Sequence, residues 1–584
     1  MKLSDYVIKF IIGEKIKCIF EVCGGSIAHL LNSLYGKNKI ADISMHHEQA
    51  AAFAAEGYSR ASGNIGVALA TSGPGATNLI TGIGSAYFDN IPCIFITGQV
   101  NTYEFKFNKP VRQVGFQETD IVKIIRPLVK EAILVKDPDK IRYYLEKAVF
   151  LAKSGRPGPV LLDIPMNIQR ADINPSRLKR YQLPKKRLAI NKSLIKKAVN
   201  LLSNSSRPII LSGGGVRLAN AGKELLRFIQ KSGIPVVTSL MGLDSVAHDN
   251  DYFTGMIGTY GNRQANLAIA NADLVLALGT RFDTRQTGTR PETFARGSKI
   301  IHVDIDPHEL NNKVKADLII NSDLKDFLKE INRYNIGNKP RLSLWKKQVN
   351  LYKKRFSRPI SAVQGISIEP HLLMHMLSTA VPADAIICID IGQNQMWAAQ
   401  SLKIRGTQRL LTQGGMAAMG SALSMGIGAA FAQPGKTIVV VTGDGGFQLN
   451  IQELETLYHY QLPVKIVLLN NHCYGMVRQF QEQYFSKRYQ ATVIGYSSPD
   501  FQDVVKAYKI KSNKIKLNNE IKGALKRLLR DAKPGFLEVD ISKASLVTPK
   551  LAVNRPLEDQ EPYLSEKELA KNMIVPPLLK REVG

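Results

Sequence analysis

TIVVVTGDGGFQLNIQELETL at 437–457, followed by PVKIVLLNN at 463–471, is the stretch on which the fold turns. Its β-branched run reads as a strand buried on both faces, since a parallel strand covered by helices needs no polar alternation. The run ends in Gly443, Asp444, Gly445 and Gly446, where glycine permits a sharp turn and lets a ligand approach the backbone. FQLNIQELETL is expected to continue as one amphipathic helix, and PVKIVLL as a second buried strand closing on Asn470 and Asn471. Polar residues thus gather at strand carboxyl ends, where open α/β sheets bind ligands. Free amides at a helix start favour an anion, and Asp444 with the amide oxygens of Asn470 and Asn471 offers hard ligands to a divalent ion. Gly-Asp-Gly alone is usually only a tight turn; within this strand–helix–strand frame it points to a metal–diphosphate site.

The same alternation recurs along the chain in three groups. GVALATSG (66–73), IPCIFITG (91–98) and GPVLLDIP (158–165) form the first, with HEQAAAFAAEGYSRASG (47–63) as a helix stopped by Gly63. PIILSGGG (208–215), IPVVTSL (234–240), ADLVLALGT (272–280) and KIIHVDID (299–306) form the second, after a Pro- and Lys-rich break near 174–190. AIICIDIG (385–392), the opening stretch and GFLEVDIS (535–542) form the third. The expectation is an α/β protein of three doubly wound parallel-sheet domains: 1–175, 190–335 and 360–545. The prolines of 546–584 predict an extended tail packed over the third domain.

Composition narrows the function class. The 584 residues, 44% hydrophobic and 22% charged, are those of a globular protein, and no apolar run reaches the roughly 20 residues of a membrane span. MKLSDYVIKFIIGEKIK, broken by Asp5 and Glu14, does not read as a signal peptide. Five scattered cysteines without CxxC spacing argue against a disulfide framework or zinc site and fit a reducing cytoplasm. The +29 net charge concentrates at 177–197, 339–358 and 506–530, without the interleaved aromatics of a base-stacking surface. Solvated linkers and helix faces account for it, so no nucleic-acid or membrane partner is expected.

With these motifs in place, nearly the whole chain resembles the large subunit of acetohydroxyacid (acetolactate) synthase, a thiamine diphosphate enzyme. LATSGPGATNLITGIGSAYFDNIPCIFITGQ (69–99), GFQET (115–119) and GGMAAMG (414–420) carry the likeness beside the opening stretch. The resemblance implies Mg2+ held by Asp444, Asn471 and the Cys473 carbonyl, with Gly443, Gly445, Gly446 and Gln393 also at the cofactor. It implies that Glu48 hydrogen-bonds the cofactor's aminopyrimidine and drives removal of its C2 proton, with Gln117 and Gly25 in the catalytic set. Met419 would wedge beneath the cofactor, and Phe116 would lie by the reaction centre. Gly213, Gly214 and Gly215, with Arg281 and Asp283 of RFDTR (281–285), resemble the family's flavin domain, implying FAD without redox turnover. The implied reaction decarboxylates pyruvate and transfers its two-carbon unit to a 2-keto acceptor, 2-acetolactate being the family's product. A homodimer or homotetramer follows from the resemblance, since the family's site pairs Glu48 of one subunit with the diphosphate site of its partner. A small regulatory subunit remains open.

Four positions depart from the family's pattern. Phe480 stands where Trp is usual, GTYG (258–261) where GMHG is, Thr284 where the second Asp of FDDR is, and Asn394 where His is. Arg285 keeps the guanidinium that would hold a substrate carboxylate. Fewer aromatic walls and more hydroxyls suit a larger or more polar acceptor, and some relatives linked to surface polysaccharides use a nucleotide-linked keto-sugar.

Overall fold

The computed structural model describes residues 1–184, 189–336, 339–357 and 367–578. The expected third-domain start at 360, and Lys185, Lys186, Arg187 and Arg358 of the basic clusters, lie outside the described residues.

Three six-stranded parallel sheets organise the chain, as the alternating pattern predicts. The first runs in space as Ala41–Ser44, Cys18–Val22, Gly66–Ala70, Cys93–Gln99, Val160–Pro165 and Glu131–Leu134. The third runs as Arg409–Leu411, Ile386–Ile389, Ile438–Gly443, Val464–Asn470, Gly535–Asp540 and Lys511–Ile515. Numbered within their own sheets, both follow the order 2-1-3-4-6-5. The middle sheet runs as Leu318–Asn321, Lys299–Asp304, Leu274–Leu278, Pro208–Ser212, Val236–Thr238 and Phe253–Met256, which is the dinucleotide-binding order 6-5-4-1-2-3.

Each order has a point at its first strand where the winding reverses, leaving a crevice beyond the strand ends. In the first sheet it lies between Cys18–Val22 and Gly66–Ala70, in the third between Ile386–Ile389 and Ile438–Gly443, and in the middle sheet between Pro208–Ser212 and Leu274–Leu278. Gly25, Asp444 and Gly213 each follow closely on a strand bordering these crevices. Topology therefore selects the same residue groups as the motifs.

The chain gathers into two compact units, one built on the first and third sheets, the other on the middle sheet with Met396–Gln408 and the tail from Ala544. In the first unit one apolar core spans both sheets, and another covers the other face of the first sheet. At the centre of the shared core, helix Glu48–Ser62 packs against helix Ser421–Ala432. The former starts where His47 accepts from the Gln49 N–H and stops at Gly63, whose φ of 71° suits a residue without Cβ. Small residues bring the two backbones together: a Cβ on Gly57 would strike the Met425 backbone, and one on Gly428 the Ala54 carbonyl.

Two expectations need correction. The run after Asp444 is not one helix but two, Asp444–Gln448 and Glu453–His459. Asn450 sits at the break and sends its amide to the Gly420 carbonyl at 2.9 Å, a side-chain-to-backbone bond of the kind that competes with helix. The tail packs with the middle sheet, not the third. Leu551, Leu557 and Leu569 enter that unit's core; Arg263 donates to the Gln560 and Pro562 carbonyls, and Asn271 to that of Asn572.

Candidate active site

At the switch point of the third sheet, Asp444 follows strand Ile438–Gly443 and is 2% exposed. Burial raises its carboxyl pKa, opposed by Tyr496, whose O–H donates to Oδ2 at 2.7 Å. Asn471 follows the neighbouring strand Val464–Asn470. Its Nδ2 donates to Gln393 Oε1 at 2.9 Å, which leaves its amide oxygen 2.8 Å from the Cys473 carbonyl and 3.1 Å from Asp444 Oδ1. The Cys473 N–H reaches that amide oxygen only at 3.4 Å.

Three oxygens from three residues therefore converge at contact distances. An octahedral Mg2+ with bonds of about 2.1 Å has edges of about 3.0 Å between neighbouring ligand oxygens, so the spacing suits that ion. Among the described residues no cluster of three or more His, Cys, Asp or Glu stands ready for a metal. The donor set here is instead one carboxylate, one amide and one backbone carbonyl, the hard-oxygen kind that Mg2+ takes.

Glycines clear the surroundings. A Cβ on Gly445 would lie 2.5 Å from Tyr474 Cε1 and 3.5 Å from Met419 Cε, which brings the expected Met419 beside the glycine turn. Asp390, at the end of strand Ile386–Ile389, accepts from the Gly420 N–H at 3.0 Å and from Thr442 Oγ1 at 2.9 Å, tying the Met419–Gly420 loop to the sheet. Burial pushes its pKa up to about 6. Asn394, which departs from the resemblance, donates to the Asp390 carbonyl at 2.7 Å.

A second cluster forms at the switch point of the first sheet. Glu48, the first residue of its helix, is buried, and its Oε2 accepts from Asn78 Nδ2 at 3.0 Å. A Cβ on Gly75 would lie 3.3 Å from Glu48 Oε1, and one on Gly73 3.0 Å from Gln117 Cβ, so Glu48 and Gln117 flank one glycine loop. Ser26, next to Gly25, shares a 2.8 Å bond with Thr71 across the crevice. Phe116 is 86% exposed and Phe480 41%, large apolar surface for two residues expected at a reaction centre. Among the described residues no hydrogen bond or ion pair joins Glu48 to Asp444: Glu48 is held by Asn78, Asp444 by Tyr496.

In the middle unit, Gly213 and Gly215 meet Gly279 backbone to backbone, leaving bare main chain at the switch point. Thr238 Oγ1, at the end of a neighbouring strand, is buried and finds no hydrogen-bond partner among the described residues. Bare backbone with an orphaned hydroxyl fits a nucleotide-class group. Asp283 caps helix Thr284–Thr287, accepting from the Arg285 and Gln286 N–H groups at 2.9 and 3.3 Å. Two departing segments meet here, the Thr259 N–H donating to the Arg285 carbonyl at 2.7 Å, while Lys313 donates to Thr284 Oγ1 at 2.6 Å.

Sequence reasoning did not single out Tyr496, Asn78 or Asp390. Asn78 lies inside a quoted segment and Asp390 at a strand end, so position could have flagged both. Tyr496 is in an irregular loop 52 residues beyond Asp444 and carries no such signal.

Family models match in each of the three sheet regions: "Thiamine pyrophosphate enzyme, N-terminal TPP binding domain" over 1–124, the "central domain" over 195–331 and the "C-terminal TPP binding domain" over 390–539. The chain is 36% identical to a probable acetolactate synthase large subunit of Methanococcus aeolicus, covering 97% of each. It is 35% identical to the acetolactate synthase isozyme 2 large subunit of Escherichia coli, over 94% of this chain and 97% of that one. Against the chloroplastic acetolactate synthase 1 of Zea mays it is 36% identical, over 96% and 88%.

Proposed function

The chain belongs to the acetolactate synthase large-subunit family of thiamine pyrophosphate enzymes, and from that premise we propose that it converts two pyruvates to 2-acetolactate and carbon dioxide. The observation that carries the reading is the convergence of Asp444 Oδ1, the Asn471 amide oxygen and the Cys473 carbonyl at the third sheet's switch point. The balance is redox-neutral: one carbon–carbon bond breaks as carbon dioxide leaves, one forms, and one proton is taken up.

Thiamine diphosphate, when bound, supplies the carbon nucleophile. The protein's part is placement and proton control. Asp444, Asn471 and the Cys473 carbonyl would hold Mg2+, and Gly443, Gly445 and Gly446 would leave room for the diphosphate. Asn78 occupies Glu48 Oε2, leaving Oε1 over the side-chain-free Gly75, where it would hold a proton toward a bound aminopyrimidine ring. Met419 would support the cofactor, Gln117 and Phe116 would serve the reacting substrate, Phe480 would shape the acceptor pocket, and Arg285 would pair with a substrate carboxylate. FAD would lie over Gly213–Gly215 with Arg281 and Asp283, and a redox-neutral reaction asks no electrons of it.

Glu48 and Asp444 belong to separate clusters, and the exposed Phe116 and Phe480 favour a second copy that completes the site, with room in the reading for a small regulatory subunit. Four buried cysteines and one exposed, all free, suit a cytoplasmic protein, and among the described residues no helix is long and apolar enough to cross a membrane.

The test is to supply the purified protein with pyruvate, thiamine diphosphate, Mg2+ and FAD. Acetolactate formed from pyruvate alone supports the reading. Carbon dioxide release that waits for an added nucleotide-linked keto-sugar overturns the acceptor and favours the sugar-transferring alternative.

A further inference from the structure

Asn471 poses a problem that its own position does not solve. The two ends of a carboxamide have the same shape and opposite polarity, so the side chain can present oxygen or nitrogen to the same place. With the nitrogen turned toward the site, it donates to the Cys473 carbonyl at 2.8 Å and to Asp444 Oδ1 at 3.1 Å. That orientation satisfies three residues among themselves and removes an oxygen ligand. With the oxygen turned toward the site, three oxygens crowd together, the Cys473 N–H reaches the amide oxygen only at 3.4 Å, and a cation would relieve the crowding. Left alone, the amide would close the site.

What opposes closure is a directed chain of amides. Asn471 Nδ2 donates to Gln393 Oε1 at 2.9 Å, and Gln393 Nε2 donates to Gln479 Oε1 at 3.2 Å. Turning Asn471 over would set its oxygen against Gln393 Oε1, so Gln393 would have to turn as well and would then meet Gln479 oxygen to oxygen. All three side chains are buried, at 6%, 4% and 8% exposure, where an oxygen–oxygen clash cannot be relieved by bulk water. Gly475 makes the chain sterically feasible: a Cβ there would overlap Gln393 Oε1 and come within 2.5 Å of Asn471 Nδ2.

The geometry points to Gln393 and Gln479 as positioning residues that hold the Asn471 amide oxygen toward the cation, keeping the site open before metal arrives. Gln393 thus acts through Asn471. Gln479 immediately precedes Phe480 on helix Gly475–Tyr484, so the helix that carries the candidate acceptor residue also carries a link of the metal-site chain. This inference rests on the metal–diphosphate reading above.

The experiment measures Mn2+ binding by loss of the free-ion electron paramagnetic resonance signal, on the full-length protein with thiamine diphosphate and no substrate. In Gln393→Met, similar in volume but without the acceptor, Mn2+ affinity should fall by about 10–100-fold. Gln479→Glu still accepts from Gln393 Nε2, so it keeps the direction of the chain and should stay within about threefold of the wild type. Gln479→Met, one link further away than Gln393, should weaken binding less than Gln393→Met and more than Gln479→Glu. Wild-type affinity in Gln393→Met, or equal losses in Gln479→Met and Gln479→Glu, overturns the inference. If Gln393→Met does not fold, Gln479→Met decides: weakened binding supports the chain and unchanged binding overturns it. A wild-type protein that binds no Mn2+ with thiamine diphosphate refutes the underlying reading instead.

Discussion

Tyr496 donates its phenolic O–H to Asp444 Oδ2 across 2.7 Å, while the other oxygen of the same carboxylate lies 3.1 Å from the Asn471 amide. One carboxylate oxygen is thereby engaged by the protein and the other is turned to the metal position. Removing the phenol in Tyr496→Phe deletes a charge-assisted bond worth about 1.5–3 kcal/mol and frees the carboxylate to rotate. The Mg2+ concentration for half-maximal activity should rise about 10-fold or more, with kcat at saturating Mg2+ nearly unchanged. A fall in kcat at unchanged Mg2+ requirement would give Tyr496 a different role.

The packing of Gly428 on the Ala54 carbonyl predicts a stability effect away from the chemistry. Gly428→Ala should push the two central helices of the first unit apart and destabilise it by about 1–3 kcal/mol, the cost of overpacking a tight core. Gly13, whose Cβ would meet nothing within 4 Å, serves as the control, and Gly13→Ala should stay within about 0.5 kcal/mol of the wild type. Urea midpoints of the two variants decide the matter.

Asp163, buried between Thr97 Oγ1 at 2.7 Å and Gln99 Nε2 at 2.9 Å, has its pKa pushed up to about 7 by burial, against those two hydrogen bonds. An unfolded aspartate titrates near pH 4, so the fold prefers the neutral form. Its contribution is complete below about pH 4 and is lost as the pH rises through about 7. Asp163→Asn keeps a neutral group that accepts from Gln99 and donates to the Thr97 hydroxyl. Relative to the wild type, the variant should gain stability as the pH rises from about 4 to above 7, by an amount on the order of a few kcal/mol. Parallel stability curves for the two proteins over that range would contradict the assignment.

The sheets were legible because parallel strands buried on both faces leave uninterrupted apolar runs, and the diphosphate motif was legible because its ligands follow two such runs directly. Asp444, Asn471 and Cys473 span only 30 residues, and two neighbouring strands bring them together. Tyr496 was invisible because an irregular loop delivers it and no periodicity marks which tyrosine turns inward. Proline content implied an extended tail but not its seat, which is decided by Arg263 and Asn271, polar residues on the buried side of helix Arg263–Ala270 and at its end. The helix break at Asn450 was hidden for a related reason: its amide bonds to Gly420, 30 residues away in sequence.

The central claim is that this protein activates thiamine diphosphate through Glu48, whose Oε2 is held by Asn78 at 3.0 Å and whose Oε1 faces the Gly75 loop. Its most direct measurement is the rate at which the C2 proton of bound thiamine diphosphate exchanges in D2O, followed by quenched-flow proton NMR without substrate. Glu48→Gln keeps the size and a hydrogen-bonding side chain but removes the charge that draws the ring proton. Exchange should slow by about 100-fold or more while thiamine diphosphate still binds. Exchange at the wild-type rate in Glu48→Gln would contradict the account.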